Sequence, residues 1–393
     1  MAIENVVISM DSHHEAFLDL SSYLPTKYHD DYKEAFERGM RNWRRALAYV
    51  SELIFSGYGF DIDMGGASSR EELQELDWRN YSRSFSTEER LAILDEDGIA
   101  GEMLVDSFGP NSRDPELQHQ ITLAYNRWFK DYISPAPHRF CGAVVTSLLC
   151  DVQTTVKEIA HGFEHGIKAI HLSPCPGSVS LDLPNYNDSR YESIWAALNE
   201  RSMSVVFHSS PGREKPLWTW SGLERGWEVL EFMDMEAAHQ ATLKYFLFAG
   251  ILERYPNIHL GYIESGSAWV GPMLKKLDSY AKAPRYNPEH KLKMLPSEQW
   301  FRQGYCSGPL TDIDIQGRHE VGIGSLMFGS DFIHTEGTTP NTRAYLRRLM
   351  ATVPKNERHA MLAGNAARVC GFDLEQLAKT PAAQQPLFPS AAA

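Results

Sequence analysis

The chain has 393 residues, with 38 Lys and Arg against 51 Asp and Glu, and therefore a formal net charge of −13 at pH 7. This negative balance argues against nucleic acid and anionic membranes as partners, because both require a basic surface. With 43% hydrophobic and 23% charged residues, the composition is that of a globular protein with a substantial core. We therefore expect the partner to be a small molecule.

The cysteine pattern and the N-terminus indicate a cytoplasmic protein. The five cysteines are widely spaced and contain no Cys-x-x-Cys pair, which argues against a structural zinc site and favours a reducing compartment. The first residues lack the basic start, the apolar run and the cleavage site of a secretory signal. The longest apolar run, residues 245–252, is less than half of the roughly 20 residues that a membrane-spanning helix needs.

Short β-rich runs recur along the chain, and a segment with helical periodicity follows most of them. The runs lie at residues 6–11, 99–106, 140–147, 167–173, 203–210, 258–265, 302–308 and 325–332. The helical segments include residues 115–133, 154–166, 190–202 and 227–255. Alternating strands and helices predict right-handed crossovers and a parallel sheet. Because there are eight such runs and no Gly-x-Gly-x-x-Gly after the first, we predict an α/β fold of the (β/α)8 TIM barrel type rather than an open doubly wound sheet.

More than eighty residues separate the first and second predicted strands. They contain a basic helical segment, a Gly-rich loop and a second helix, at residues 33–55, 57–69 and 86–98. We expect a lid-like helical insertion, at about 16–97, above the carboxyl end of the barrel. The predicted organisation is one barrel domain over residues 1–375 and a Pro/Ala-rich tail over residues 376–393. We expect this tail to be loosely ordered or packed on a neighbouring subunit.

Candidate metal ligands lie at the carboxyl ends of the predicted strands, where barrel enzymes place their active sites. Asp11 and His13 end the first strand, and alternate residues of a strand point to the same side, so both can face the barrel axis. His208 ends the fifth strand and Asp331 ends the eighth. A single histidine in a strand is more often a hydrogen-bonded structural residue. Two imidazoles and two carboxylates at one mouth instead suit a divalent ion of the zinc, manganese or iron type.

Several motifs together resemble the amidohydrolase-related family of the amidohydrolase superfamily. They are DSHHEAF, HRFCGAV, GIKAIHLSP, VVFHSSPG, NIHLGYIESGSAW, FGSDFIHTEG and GNAARVCGF, in the expected order over nearly the whole chain. Within the family they resemble most the branch of 2-amino-3-carboxymuconate-6-semialdehyde decarboxylase. The resemblance implies a metal-dependent barrel, commonly with one zinc or manganese ion, that catalyses hydrolysis or non-oxidative decarboxylation. It also implies a homodimer.

The family pattern assigns roles to four positions of this sequence. Asp11 and His13 match the ligand pair of the first strand and His208 matches the ligand of the fifth strand. Asp331 matches the eighth-strand aspartate that binds the metal or handles the proton of water. The chain departs from the decarboxylases at the end of the sixth strand, where their catalytic histidine is replaced by Glu264. Three carboxylates around one ion would attract an anionic substrate less strongly than a histidine-rich site.

From this departure we expect a metal-dependent hydrolase of a small cyclic, amide or ester compound. The ion, with zinc favoured over manganese and iron, would lower the pKa of a water molecule. Asp331 and Glu264 would then exchange protons with this water and with the leaving group, unless Glu264 only orients His208 or His171. His171, near the end of the fourth strand, is a third candidate catalytic residue. The alternative is a carboxy-lyase, a non-oxidative decarboxylase of an aromatic or muconate-like acid.

Two further histidines lie beside these candidates. His14 follows His13 directly and therefore points to the opposite side of the strand, toward the barrel wall. His334 lies three residues after Asp331, beyond the end of the predicted strand. We expect His334 either to contact the substrate or to cap the following turn.

Overall fold

The computed structural model describes residues 2–388 except for 16–17, 42–68, 106–111, 113, 147, 149–150, 177–181, 209–226 and 284–291. In this part of the chain, eight strands form one parallel sheet in sequential order. The strands are β1 (Ile8–Ser12), β2 (Gly101–Val105), β3 (Phe140–Val145), β4 (Ile167–His171), β5 (Ser204–His208), β6 (His259–Ile263), β7 (Gly304–Gly308) and β8 (Leu326–Phe328). Each strand overlaps one of the β-rich runs of the sequence, so the eight predicted strands are confirmed.

The sheet closes on itself where β1 meets the segment that follows β8. Ser12 and Phe332 form a parallel bridge, and the Asp331 N–H donates a hydrogen bond of 2.8 Å to the Asp11 carbonyl. The Ser330 N–H donates to Ser9 Oγ at 2.8 Å. The chain is therefore a (β/α)8 TIM barrel, as predicted.

Helices separate consecutive strands and surround the barrel. Between strands they span Thr87–Asp97, Pro115–Ile133, Val152–Glu164, Glu192–Arg201, Trp227–Phe248, Ile251–Arg254, Val270–Ala281, Pro296–Gln303 and Asp312–Val321. After β8 they span Thr342–Leu349, Lys355–His359, Asn365–Cys370, Leu374–Leu377 and Pro381–Gln384. The helix predicted at 115–133 is confirmed at both ends. At its start, the Leu117 N–H donates a 2.8 Å hydrogen bond to the Asp114 carboxylate, and a proline occupies the first helical position. None of the described helices is both long enough and apolar enough to span a membrane.

Only parts of the predicted insertion belong to the described residues. They include a helix over residues 29–41 and the helix Arg70–Ser82, whereas residues 42–55 of the basic segment and 57–68 of the Gly-rich loop lie outside them. The helix Thr87–Asp97 starts with a capping box between Ser86 and Glu89 and leads directly into β2. It therefore occupies the position of the crossover helix between β1 and β2, while the lid remains a prediction.

The C-terminal segment packs within its own chain, whereas the sequence led us to expect a tail that is loosely ordered or packed on a neighbouring subunit. Leu377, Ala382 and Ala383 are fully buried, in one cluster with side chains of β1, β2 and β7. Arg343 and Arg347 hold the backbone of the segment, for example through a 2.7 Å bond from Arg347 Nε to the Leu387 carbonyl. The described tail residues therefore pack against their own barrel, because small apolar side chains close its interior.

The start of β7 provides a test of the packing between barrel and helices. A methyl group on Gly304 would overlap the indole ring of Trp300, which is fully buried and donates a 2.9 Å hydrogen bond to the Val321 carbonyl. We expect Gly304→Ala to lower the free energy of unfolding by about 1–3 kcal/mol, measured by urea denaturation. The matched control is Gly317→Ala in the helix Asp312–Val321, where the added methyl meets no atom within 4 Å. This variant should be stabilised by up to about 1 kcal/mol; equal stability of both variants would contradict the packing.

Candidate metal centre and active site

The barrel brings the four predicted metal ligands together at its carboxyl mouth, where all four side chains are fully buried. His13 Nε2 lies 3.4 Å from Asp11 Oδ1 and 3.3 Å from Asp331 Oδ1. His208 Nε2 lies 3.4 Å from the same Asp11 oxygen. Asp11, His13 and His208 thus form one group of potential ligands and His13, Asp331 and His334 form another, so that His13 connects Asp331 to the other two predicted ligands.

The chemistry of this donor set fits a divalent cation. Two ligands on one tetrahedral ion, each at about 2.0–2.1 Å, are separated by about 3.4 Å, which is the spacing observed here. Both oxygens of Asp11 and of Asp331 are buried, and neither carboxylate accepts a hydrogen bond of regular geometry from the described residues, so imidazole nitrogens are their nearest polar neighbours. Buried carboxylates without compensation are costly, and a cation between them removes this cost. Nδ1 of His13 lies 3.1 Å from the Val105 carbonyl, and donation to it leaves the Nε2 lone pair directed at the cluster.

In the absence of an ion, a proton on His13 offsets part of the negative charge of the two carboxylates. Burial lowers the pKa of His13, but the Asp11 and Asp331 carboxylates outweigh it and raise this pKa to about 10. Burial raises the pKa of Asp331, but His334 and His13 hold it below its ordinary value. An ion must therefore displace a proton from His13 in order to bind.

Glu264 is the member of the cluster that reaches the cavity beside it. Its Oε2 lies 3.4 Å from His208 Nε2, and its side chain is 13% exposed, whereas Asp11, His13 and His208 are 0% exposed. It lines a cavity of about 170 Å³ formed by the end of β7, by residues that follow β6 and β7, and by Glu236. Burial and the carboxylates of Asp331 and Asp11 raise the pKa of Glu264 well above its ordinary value. A carboxyl group at this place can exchange a proton with a molecule in the cavity.

The backbone at two of the carboxylates is strained. Glu264 and Asp331 both have φ of +56°, in the left-handed region that costs a non-glycine residue about 1–2 kcal/mol. Hydrogen bonds hold them there, since the Glu264 N–H donates to the Ser307 carbonyl at 2.9 Å and the Asp331 N–H to Asp11. The turn directs each side chain into the mouth at the point where its strand ends.

Two residues after Asp331 extend the cluster: His334, for which the sequence allowed either substrate contact or the capping of a turn, and Glu336, which the sequence did not indicate. His334 Nδ1 lies 2.8 Å from Asp331 Oδ1, and its ring stacks on His13 with centroids 4.3 Å apart. Glu336 Oε1 lies 3.8 Å from the same nitrogen. Glu264, Asp331, His334 and Glu336 thus form a further group of potential ligands, which shares Asp331 and His334 with the group that contains His13. The signal in the sequence was the run of polar residues that continues past Asp331 in FGSDFIHTEG.

The structure places two other histidines around the cluster. His171, at the end of β4, is buried, and its ring centroid lies 5.8 Å from that of His208. It therefore borders the predicted ligands without joining any group of potential ligands among the described residues. The ring of His14 packs against Tyr125 and Trp128 on the outer side of β1, as the alternation of the strand predicted.

The fold and the site agree with the comparisons with known proteins. Residues 80–372, more than half of the chain, match the amidohydrolase family. The chain belongs to the amidohydrolase family. Enzymes of this superfamily depend on metal ions, in keeping with the ligand groups at the mouth. No curated protein sequence matches the chain.

Solved structures share the fold of this amidohydrolase-family chain over most of its length. An amidohydrolase from Mycobacterium avium subsp. paratuberculosis has a TM-score of 0.66 at 20% identity, covering 93% of this chain and 99% of that chain. 5-Carboxyvanillate decarboxylase from Sphingomonas paucimobilis has a TM-score of 0.58 at 16% identity, covering 94% and 99%. A dihydroxybenzoic acid decarboxylase from Polaromonas sp. JS666, with bound manganese and 2-nitroresorcinol, has a TM-score of 0.59 at 13% identity, covering 93% and 97%.

The adjacent residues His13 and His14 allow a matched test of the metal centre. We expect His13→Gln to weaken the binding of Zn²⁺ or Co²⁺ by more than about 100-fold, because it removes a ligand rather than an outer partner. His14→Phe keeps an aromatic ring against Tyr125 and Trp128 and should bind the ions as the unchanged protein does. Titration calorimetry measures both affinities, and equal binding by the two variants would remove His13 from the ligand set.

The pKa of His13 predicts how metal binding depends on pH. Below a pKa of about 10 the metal-free imidazole carries a proton that the ion must displace. We therefore expect the affinity to fall about tenfold per pH unit, or about 100-fold from about pH 8 to about pH 6. Calorimetry in buffers with different ionisation enthalpies counts the protons released per ion. Binding that releases no proton would contradict this assignment.

Proposed function

We propose that the protein is a metal-dependent carboxy-lyase that removes CO₂ from a small aromatic or conjugated carboxylic acid. The observation that carries the proposal is the position of Glu264, which contacts His208 of the ligand cluster and also lines the adjacent cavity. The names of the structural neighbours add support, because decarboxylases recur among them. These names favour decarboxylation over the hydrolysis that the sequence had led us to expect.

In this proposal Asp11, His13, His208 and Asp331 hold one divalent ion. The donor set of two imidazoles and two carboxylates suits zinc, and it also suits manganese, the ion present in the Polaromonas neighbour. When bound, the ion supplies positive charge that orients an anionic substrate and withdraws electron density from it. The strained turns at Glu264 and Asp331 keep the acidic groups aimed into the mouth.

Glu264 supplies the proton that decarboxylation requires. The bond between the ring carbon and the carboxylate breaks, its electron pair remains on that carbon, and CO₂ leaves. The carbon then takes the proton of the Glu264 carboxyl group, and solvent protonates Glu264 again. His171, which borders His208, is proposed to line the substrate side of the site.

Hydrolysis of a neutral compound is the second candidate, and one feature of the cavity favours it. The described residues that line the cavity include three acidic side chains, Glu236, Glu264 and Asp314, and no lysine or arginine. Such a lining attracts a carboxylate substrate less than a neutral amide, ester or lactone. In this case Glu264 would donate its proton to the leaving group rather than to a carbon.

A substrate panel with two cavity variants tests the proposal. Aromatic and muconate-like acids, amides, esters and lactones are incubated with the zinc- or manganese-loaded protein, and the release of CO₂ is measured. In D₂O the decarboxylated product should carry one deuterium at the carbon that lost CO₂. We expect Glu264→Gln to lower kcat by about 10²–10⁴-fold, as loss of a general acid does, with unchanged metal content.

The matched control is Glu236→Gln. Glu236 lines the same cavity but pairs with Gln240 at 2.9 Å, and we expect this variant to keep its kcat. Hydrolysis of a neutral compound without CO₂ release from any acid would replace the proposal by the second candidate. Equal loss of activity in both variants would show that the charge of the cavity matters rather than a proton carried by Glu264.

A further inference from the structure

A buried arginine outside the ligand set contacts the backbone of a ligand. Arg90 lies on the crossover helix Thr87–Asp97 and is fully buried. Its Nη1 donates a 2.8 Å hydrogen bond to the carbonyl of His13. Its Nε and Nη2 contact the two carboxylate oxygens of Glu102 on β2, the second at 2.9 Å. The guanidinium also lies over the ring of Phe332, 4.9 Å from its centroid.

These contacts connect the end of the segment that carries Asp11 and His13 with the segment that carries Asp331. His13 comes directly after β1, and Phe332 comes directly after Asp331 in the segment that follows β8. The His13 N–H also donates to the Phe332 carbonyl. The planar guanidinium therefore fixes one residue from each side of this junction, with Glu102 holding it in orientation from β2.

The C-terminal end of the same helix is also linked to the segment that carries Asp331. Asp97 accepts bonds from the N–H and the hydroxyl of Thr342, at 2.9 and 2.6 Å. Thr342 bonds to Thr338 at 2.7 Å, and the Thr338 N–H donates to the Ser330 carbonyl at 2.8 Å, one residue before Asp331. The helix thus contacts the residues on both sides of the junction.

Stability alone does not explain a charged pair at this place. Arg90 and Glu102 are both 0% exposed, so the pair gives up the hydration of two ions. A hydrophobic pair of similar volume is often as stable as a buried ion pair, or more stable. A methionine or leucine would fill the space but would offer no donor to the His13 carbonyl.

We propose that Arg90, oriented by Glu102, is a positioning residue that sets the geometry of the metal centre through the His13 carbonyl and Phe332. This inference rests on the proposed function, because it takes His13 and Asp331 as ligands. Its effect passes through the backbone of the ligands and requires no contact between Arg90 and the ion.

The test replaces the pair without leaving a buried charge alone. The double variant Arg90→Met with Glu102→Leu should keep its melting temperature within a few degrees. We expect its affinity for Co²⁺ to fall by about 10–100-fold, as for other outer partners of metal ligands, and the visible spectrum of bound Co²⁺ to change. Arg90→Lys keeps the charge but not the fork that reaches Glu102 and His13 together, so it should show a smaller loss of the same kind.

A second arginine provides the matched control. Arg139 pairs with Asp95 at 2.8 Å and donates to the carbonyls of Ala100 and Ile99, at the opposite end of the barrel. Arg139→Met with Asp95→Leu should bind Co²⁺ with unchanged affinity and spectrum.

The outcomes separate this inference from the proposed function. Unchanged Co²⁺ affinity and spectrum in the Arg90 double variant would overturn the positioning role while the metal centre stands. An equal loss of affinity in both double variants would also overturn it, because the effect would then be one of general stability. Failure of the unchanged protein to bind Co²⁺ would overturn the metal centre itself.

Discussion

The hydrogen bonds between β1 and the segment after β8 both close the barrel and assemble the candidate metal centre. The Asp331 N–H donates to the Asp11 carbonyl, and the His13 N–H donates to the Phe332 carbonyl. Three of the four proposed ligands are therefore fixed relative to one another by main-chain bonds. A shift of register at this junction would separate them and would open the barrel at the same time. The fourth, His208, arrives from β5 on the other side of the barrel mouth.

This arrangement places several carboxyl groups close together in the buried mouth of the barrel. Asp11 and Asp331 have no exposed surface, and Glu264 lies beside them with only a small exposed fraction. A divalent ion offsets this cost, and its binding therefore also stabilises the fold by mass action. The left-handed turns at Glu264 and Asp331 add local strain of the kind that accumulates at functional sites.

Access to the centre restricts the chemistry that it performs. The proposed ligands are closed to solvent, whereas Glu264 borders both the cluster and the cavity after β6 and β7. A molecule in this cavity therefore meets a carboxyl group next to the ion site. Proton transfer at this position serves both decarboxylation and hydrolysis, so the class of the reaction depends on which substrates enter.

The sequence by itself determined the barrel and the approximate positions of its eight strands. Strand alternation separated His13 from His14, and it did so correctly because the period of a strand is two residues. The sequence did not determine the contacts of Glu264, His334 and Arg90. Glu264 and Asp331 owe their direction to left-handed turns, and their N–H groups donate to the carbonyls of Ser307 and Asp11, which are distant in the chain. His334 joins the cluster by stacking on His13, and Arg90 reaches His13 from a crossover helix. Only the tertiary structure decided these contacts, because they depend on where the closed barrel places the loops and helices around its mouth.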